Sequence, residues 1–222
     1  MTTTPPFKVQ IVPVTPFQQN CSIVRAEDGS AAVVDPGGEV DKILAAAEAM
    51  DARIEKIWLT HGHLDHAAGA MALKRRTGAV IEGAHEEEVF WFSQMAEQSQ
   101  RFGAEGAGDN VVPDRWLDEG DSVEIGGNVF EVFFTPGHTP GHIVFFNRTA
   151  RLAFVGDVLF AGSIGRTDFP RGDHAALVRS VTSKLWPMGD DVTFVPGHGP
   201  ASTFGRERAT NPFVGDAALR RG

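Results

Sequence analysis

The segment Thr60-His61-Gly62-His63-Leu64-Asp65-His66 restricts what this chain can fold into more than any other feature. It follows the apolar run Lys56–Leu59 and precedes a small-residue stretch, Ala67–Arg76, with helical spacing. It therefore sits where a strand hands over to a helix. Residues two apart in an extended segment point to one side, so His61 and His63 can grip one cation. Asp65 and His66, at the turn into the helix, can face a second. The alternative reading is a polar loop that caps the helix.

Three more candidates each follow an apolar run: His138 after Val129–Phe134, Asp157 after Leu152–Val155, and His198 after Val192–Val195. Ligand sites in α/β sheets gather beyond the carboxyl ends of strands, so four strand-end clusters can converge on one edge. Glycines at 62, 137, 156, 197 and 199 flank these residues. They suit close backbone packing around ions, or ordinary turns.

Strand-like runs are expected at Phe7–Val14, Cys21–Arg25, Ala31–Val34, Lys56–Leu59, Val80–Glu82, Val129–Phe134, Ile143–Phe146, Leu152–Val155 and Val192–Val195. Helical patterns fall at Val40–Met50, Ala67–Arg76, Glu86–Gln98 and Ala175–Leu185, the last with Asp173 as N-cap. Hairpin-like strands, then strand–helix units, then hairpins again suit two mixed sheets packed face to face with helices outside, although periodicity alone leaves other α/β layers open. The Gly-rich stretch Gly103–Asn110 reads as a mobile surface loop. With 222 residues and no Pro/Gly/Ser-rich linker, one domain spanning 1–222 is expected.

A formal charge of −9 argues against a nucleic-acid partner, which would require clustered Lys and Arg. Two divalent cations would reduce that charge without reversing it. No apolar run approaches bilayer length, and Met1–Val14 lacks a basic region followed by an apolar core, so a cytoplasmic enzyme with no membrane partner is expected. The single cysteine, Cys21, lies in an apolar run and reads as a buried strand thiol.

The order His61-x-His63-x-Asp65-His66, His138, Asp157, His198 resembles the dinuclear metallo-β-lactamase superfamily over almost the whole chain. The resemblance implies an αββα sandwich, with His61, His63 and His138 on one metal, Asp65, His66 and His198 on the other, and Asp157 bridging both. Catalysis would then depend on Asp65 and Asp157. Asp35, in the turn Asp35-Pro-Gly-Gly38, becomes either a residue that orients a ligand or a buried turn Asp. His85 and His174 read as surface or capping residues, and His142 as a structural hydrogen-bonding residue.

The segment Phe160–Pro170 and the tail Arg206–Phe213 are similar to the short, single-domain form of glyoxalase II (hydroxyacylglutathione hydrolase). That similarity implies hydrolysis of S-lactoylglutathione, a small anionic thioester, by a hydroxide made on two divalent ions, with zinc first and iron or manganese as alternatives. Asp157 at the bridging position and the lack of a cysteine ligand count against a β-lactamase. The chain has no Tyr, so much of the glutathione surface of longer glyoxalase II enzymes is absent. Arg166 is the candidate to bind a glutathione carboxylate, or else a residue that stiffens its loop by pairing with Asp168. Rival readings are a persulfide dioxygenase with one iron, which the segment Gly165–Phe169 also resembles, and an acyl-homoserine lactonase.

Overall fold

The structure, a computed structural model, describes residues 6–103 and 109–220. Residues 104–108 of the expected Gly-rich loop lie outside the described residues. Alternating burial along Phe7–Val14 (β1) and near-complete burial along Gln19–Ala26 (β2) and Ser30–Val34 (β3) distinguish an edge strand from central ones. These three pair antiparallel, and β3 continues in parallel to Arg53–Leu59 (β4) and Val80–Gly83 (β5), giving a five-stranded sheet.

The second sheet is formed by Ser122–Ile125 (β6), Asn128–Phe134 (β7), Ile143–Asn147 (β8) and Leu152–Gly156 (β9), antiparallel in turn. A hairpin of Leu159–Phe160 (β10) and Ser163–Ile164 (β11) follows. The sheet is completed by Thr193–Pro196 (β12), parallel to β9, and Ser202–Thr203 (β13). The two sheets meet through large rings: Trp58 of β4 lies 5.0 Å from Phe130 of β7 and 5.6 Å from Phe145 of β8, all three buried.

Helices cover the outer faces. Val40–Ala49 (α1) and Ala70–Thr77 (α3) pack on β4 and β5 with Ile43 and Leu73 inward. His174–Ser180 (α6), capped by Asp173 accepting from the Ala176 amide at 2.9 Å, packs Leu177 against Val144 and Val155. It runs on through a π turn, Val181–Leu185. The layers are helix, sheet, sheet, helix.

Two expected helices differ and one helix was not expected. The helix expected at Ala67–Arg76 is two: Leu64–Ala67 (α2) ends at Gly69, where a side chain would meet the Pro36 carbonyl at 2.5 Å, and α3 begins beyond it. Glu86–Gln98 is a 3₁₀ turn (Glu86–Glu88), then Val89–Phe92 (α4) and Met95–Phe102 (α5). Phe204–Thr210 (α7) carried no recognised pattern; its charged face hides a cap, Thr203, that accepts from the Arg206 amide. A final turn, Asp216–Leu219 (α8), follows.

Candidate metal centre

Strand directions place the candidates together. The carboxyl ends of β3 and β4 in one sheet and of β7, β9 and β12 in the other open on one edge, where the turn between β1 and β2 also lies. From them emerge Asp35, His61 to His66, His138, Asp157 and His198 in that order. The sheets are tied there by the Ile143 amide, which donates to the Thr60 carbonyl at 2.9 Å.

Seven side chains converge. The donor atoms of His61, His63 and His138 all lie within 4.8 Å of one another, as do those of Asp65, His66 and His198. Asp157 faces both groups: its Oδ2 is 3.5 Å from His138 Nε2 and 3.7 Å from His198 Nε2, while its Oδ1 is 3.3 Å from His66 Nε2. Asp35, His61 and His66 also lie close enough to form a third group. Asp35 is already committed, because its oxygens accept from the Thr60 amide (2.7 Å), the Thr60 hydroxyl (2.6 Å) and His66 Nδ1 (2.9 Å).

Those hydrogen bonds set which imidazole nitrogen is free. The Thr60 hydroxyl spends its proton on Asp35, so it accepts from His61 Nδ1 at 3.0 Å. His66 Nδ1 donates to Asp35, His138 Nδ1 to the Arg166 carbonyl at 2.7 Å, and His198 Nδ1 to the Phe17 carbonyl at 3.2 Å. With Nδ1 of His61, His66, His138 and His198 engaged outward, their Nε2 atoms face the shared space, where His138 Nε2 lies 2.9 Å from His63 Nδ1 and His198 Nε2 lies 3.1 Å from Asp65 Oδ2. Nε2 of His61, His63 and His66 and Oδ1 of Asp157 are buried without a hydrogen-bond partner among the described residues. Orphaned lone pairs of this number are costly unless a cation satisfies them. The mixed imidazole and carboxylate set fits zinc, iron or manganese.

Electrostatics point the same way. Burial holds the His61, His63 and His138 rings neutral, with His63 brought down to about 3. Burial also opposes charge on His66, but the Asp157 and Asp65 carboxylates outweigh it and hold its pKa well above the ordinary value. Burial pushes Asp157 upward, and the surrounding imidazoles, His66 first, pull it far below the carboxylate range. The buried carboxylates draw positive charge onto His66, the charge balance that a bound cation could take over. His142 is excluded from it: its Nε2 accepts from the Asp157 amide at 3.1 Å, and burial keeps the ring neutral.

Sequence reasoning missed Glu88. This side chain is fully buried, and its two oxygens accept from the Gly62 amide (2.7 Å) and the Gly141 amide (2.6 Å), clamping the His61–His63 loop to the loop between His138 and His142. Burial pushes its carboxyl up to about 7. Gly62 is required by the approach, since a Cβ there would meet Trp91 Cβ at 2.6 Å and Glu88 Oε2 at 2.9 Å. Gly197 is required as well, because its Cβ would fall 2.1 Å from Asp157 Oδ1. In the tail, Glu207 accepts from Ser202 (2.6 Å), Asn211 (3.0 Å) and the Gly162 amide (2.8 Å), holding the β10–β11 turn whose Phe160 packs near His198. A lone Glu in an acidic run (86–88) carries no local signal of such burial.

Arg166 lies at the rim. Its guanidinium pairs with both oxygens of Asp168 at 2.7 Å and stacks 4.3 Å above the Phe169 ring, while its carbonyl orients His138. His85 and His174 lie outside the cluster. His85 accepts from the Glu87 amide and stacks on Phe134, and His174 is exposed at the start of α6. His85→Ala and His174→Ala should bind as much metal as the parent protein, and loss of an ion from either, measured by elemental analysis, would show the ligand set to be wrong.

Two sheets sandwiched between helices, with a seven-residue His/Asp cluster at one edge, define the class. The chain belongs to the metallo-beta-lactamase superfamily, which it matches over residues 14–198. Among curated relatives, hydroxyacylglutathione hydrolase GloC of Haemophilus influenzae is 46% identical over 207 residues, covering 93% of this chain and 97% of its own. Among solved structures, the BLEG-1 B3 metallo-beta-lactamase has a TM-score of 0.85 at 32% identity, covering 93% of this chain and 99% of the other. TTHA1623 in a di-iron-bound form has a TM-score of 0.82 at 33% identity, covering 92% and 99%.

Proposed function

We propose that this chain is a single-domain hydrolase of glutathione thioesters, such as S-lactoylglutathione, working with two divalent ions. The observation that carries the reading is Asp157, whose carboxylate faces both His/Asp groups at once, with Asp65, His66 and His198 completing a second group that a one-ion site would not need. The similarity to a hydroxyacylglutathione hydrolase supports the substrate class. The Asp157 bridge and the cysteine-free ligand set speak against lactam hydrolysis.

In this reading His61, His63 and His138 hold one ion, Asp65, His66 and His198 the other, and Asp157 spans both. Zinc is the first choice; the di-iron-bound form of TTHA1623 supports iron as the alternative. When bound, the ions would lower the pKa of water to about 7, supplying a nucleophile at neutral pH, and would stabilise the oxyanion of the substrate carbonyl. The protein's own residues prepare the site. Asp35, Thr60 and the Phe17 and Arg166 carbonyls engage the outward nitrogens of His66, His61, His198 and His138, so the inward ones would be available to the ions. Trp91 and Phe169 pack edge-on to His63 at 4.6 and 4.7 Å and exclude water from that side. The thiolate leaving group departs without a strong proton donor, because its conjugate acid has a pKa near 8.5. Five neutral imidazoles and two carboxylates around two divalent ions leave a positive centre, which favours an anionic substrate.

The proposal includes a cytoplasmic location and no nucleic-acid or membrane partner; no helix among the described residues is long and apolar enough to cross a membrane. The test combines metal analysis with a substrate panel on one preparation. About two ions per chain and thiol release from S-lactoylglutathione are expected. Oxygen-consuming turnover of glutathione persulfide on one iron, or preferential opening of an acyl-homoserine lactone, would sink the reading. Arg166, proposed as a carboxylate contact, is shared with Asp168 and exposed, so Arg166→Ala should raise KM only about two- to fivefold, with a smaller effect on kcat.

A further inference from the structure

We propose that Arg171 is the main anchor for a remote carboxylate of the substrate; the inference rests on the glutathione thioester reading and names a residue that determines its specificity. Arg166 is already satisfied by Asp168. Arg171 is exposed, has no ion pair or side-chain hydrogen bond among the described residues, and sits over Phe90 with 4.2 Å from Cζ to the ring centroid. A guanidinium held over a ring keeps its N–H groups available, and these bind a carboxylate through two parallel hydrogen bonds.

The position relative to the metal centre is set by aromatic steps. Phe90 lies 5.2 Å from Trp91, and Trp91 lies 4.6 Å from His63. With the Arg171 stacking distance, these steps laid end to end set the upper limit of the span. An extended tripeptide covers on the order of 10 Å before its side chains add reach. The sulfur of such a thioester sits on the central residue, so one arm covers only part of that length, and the γ-glutamyl arm and the bidentate contact of the arginine supply the rest of a span for which the aromatic steps are an upper limit.

The loop that carries Arg171 is held in place at both ends by the site itself. The Arg166 carbonyl accepts from His138, a Cβ at Gly165 would fall 1.8 Å from the Asp157 carbonyl, and the Asp173 amide donates to the Gly137 carbonyl at 2.8 Å. Within it Arg171 adopts a left-handed backbone (φ 66°), a conformation that glycine would take more cheaply. The residue there is an arginine, with no ion pair among the described residues.

The test measures binding, by calorimetry on the metal-loaded protein, of S-methylglutathione and of its dicarboxylic ester. Arg171→Ala should weaken the free acid about tenfold and the diester less than twofold, with Arg171→Lys between the two. Arg166→Ala should weaken the free acid less than Arg171→Ala does. Equal affinity of parent and Arg171→Ala for the free acid, equal losses for acid and ester, or no binding of the acid by the parent protein would each overturn the assignment. A protein that shows the Arg171-dependent difference but hydrolyses no glutathione thioester refutes the hydrolase reading alone. One that hydrolyses the thioester with Arg171→Ala indistinguishable in acid binding refutes the anchor alone.

Discussion

Asp157→Ala should lower the metal content from about two ions per chain to one or fewer and slow thioester hydrolysis by about 10²–10³-fold. The substitution removes the one carboxylate that reaches both groups, with Oδ2 at 3.5 Å from His138 and 3.7 Å from His198. The backbone remains, including the amide that donates to His142, so the fold should survive. Without the bridge the three remaining ligands of each ion have no common element that holds the two ions in register. Metal-dependent charge stabilisation is worth several kcal/mol, which sets the size of the loss. Asp157→Asn keeps the shape and one neutral oxygen and should fall between. An Asp157→Ala protein that keeps two ions and full turnover would refute the dinuclear centre.

Glu88→Ala should weaken metal binding about 10- to 100-fold and destabilise the fold by about 2–6 kcal/mol, although Glu88 touches no ion in the proposed arrangement. Its loss strands two buried amides, Gly62 and Gly141, each costing about 1–3 kcal/mol. It also unties the two loops that bring His61 and His63 to His138. Glu88→Gln fills the same space and keeps one acceptor, so its cost should be about half. The pH dependence supplies a signature that simple cavity formation would not. The Glu88 pKa rises from an ordinary 4.5 to about 7 in the fold. Between those values the unfolded chain has lost a proton that the native state keeps, so this group's contribution to stability declines as pH rises, by at most about 3 kcal/mol. Urea unfolding of the metal-free protein at pH 4.5 to 7.5 should show that decline, and Glu88→Gln should lack it. Bound cations favour the carboxylate and should shrink it. Parent-like stability and metal affinity in Glu88→Gln would refute the clamp.

The site was legible where chemistry and local order coincide. His61, His63, Asp65 and His66 fall in one seven-residue segment, and His138, Asp157 and His198 each follow an apolar strand. Strand ends in a layered fold share an edge, so these residues could be grouped before any contact was known. Helix boundaries were less legible. Ala67–Arg76 has continuous helical spacing, yet the chain breaks at Gly69 because the Pro36 carbonyl occupies the space a side chain would need. That obstacle comes from a residue 33 positions earlier.

The sequence by itself determined most strands of two mixed sheets and seven candidate ligand side chains, because periodicity, strand-end position and residue chemistry are local properties. Only the tertiary structure decided which nitrogen of each ring is free, since Asp35, Phe17 and Arg166 meet His66, His198 and His138 across separations of 31, 181 and 28 residues. It also decided that Arg166 is paired and Arg171 has no ion pair among the described residues, and that Glu88 rather than its acidic neighbours is buried. Burial and hydrogen-bond partnership depend on which distant segments pack together, and no window of sequence contains both sides of such a contact.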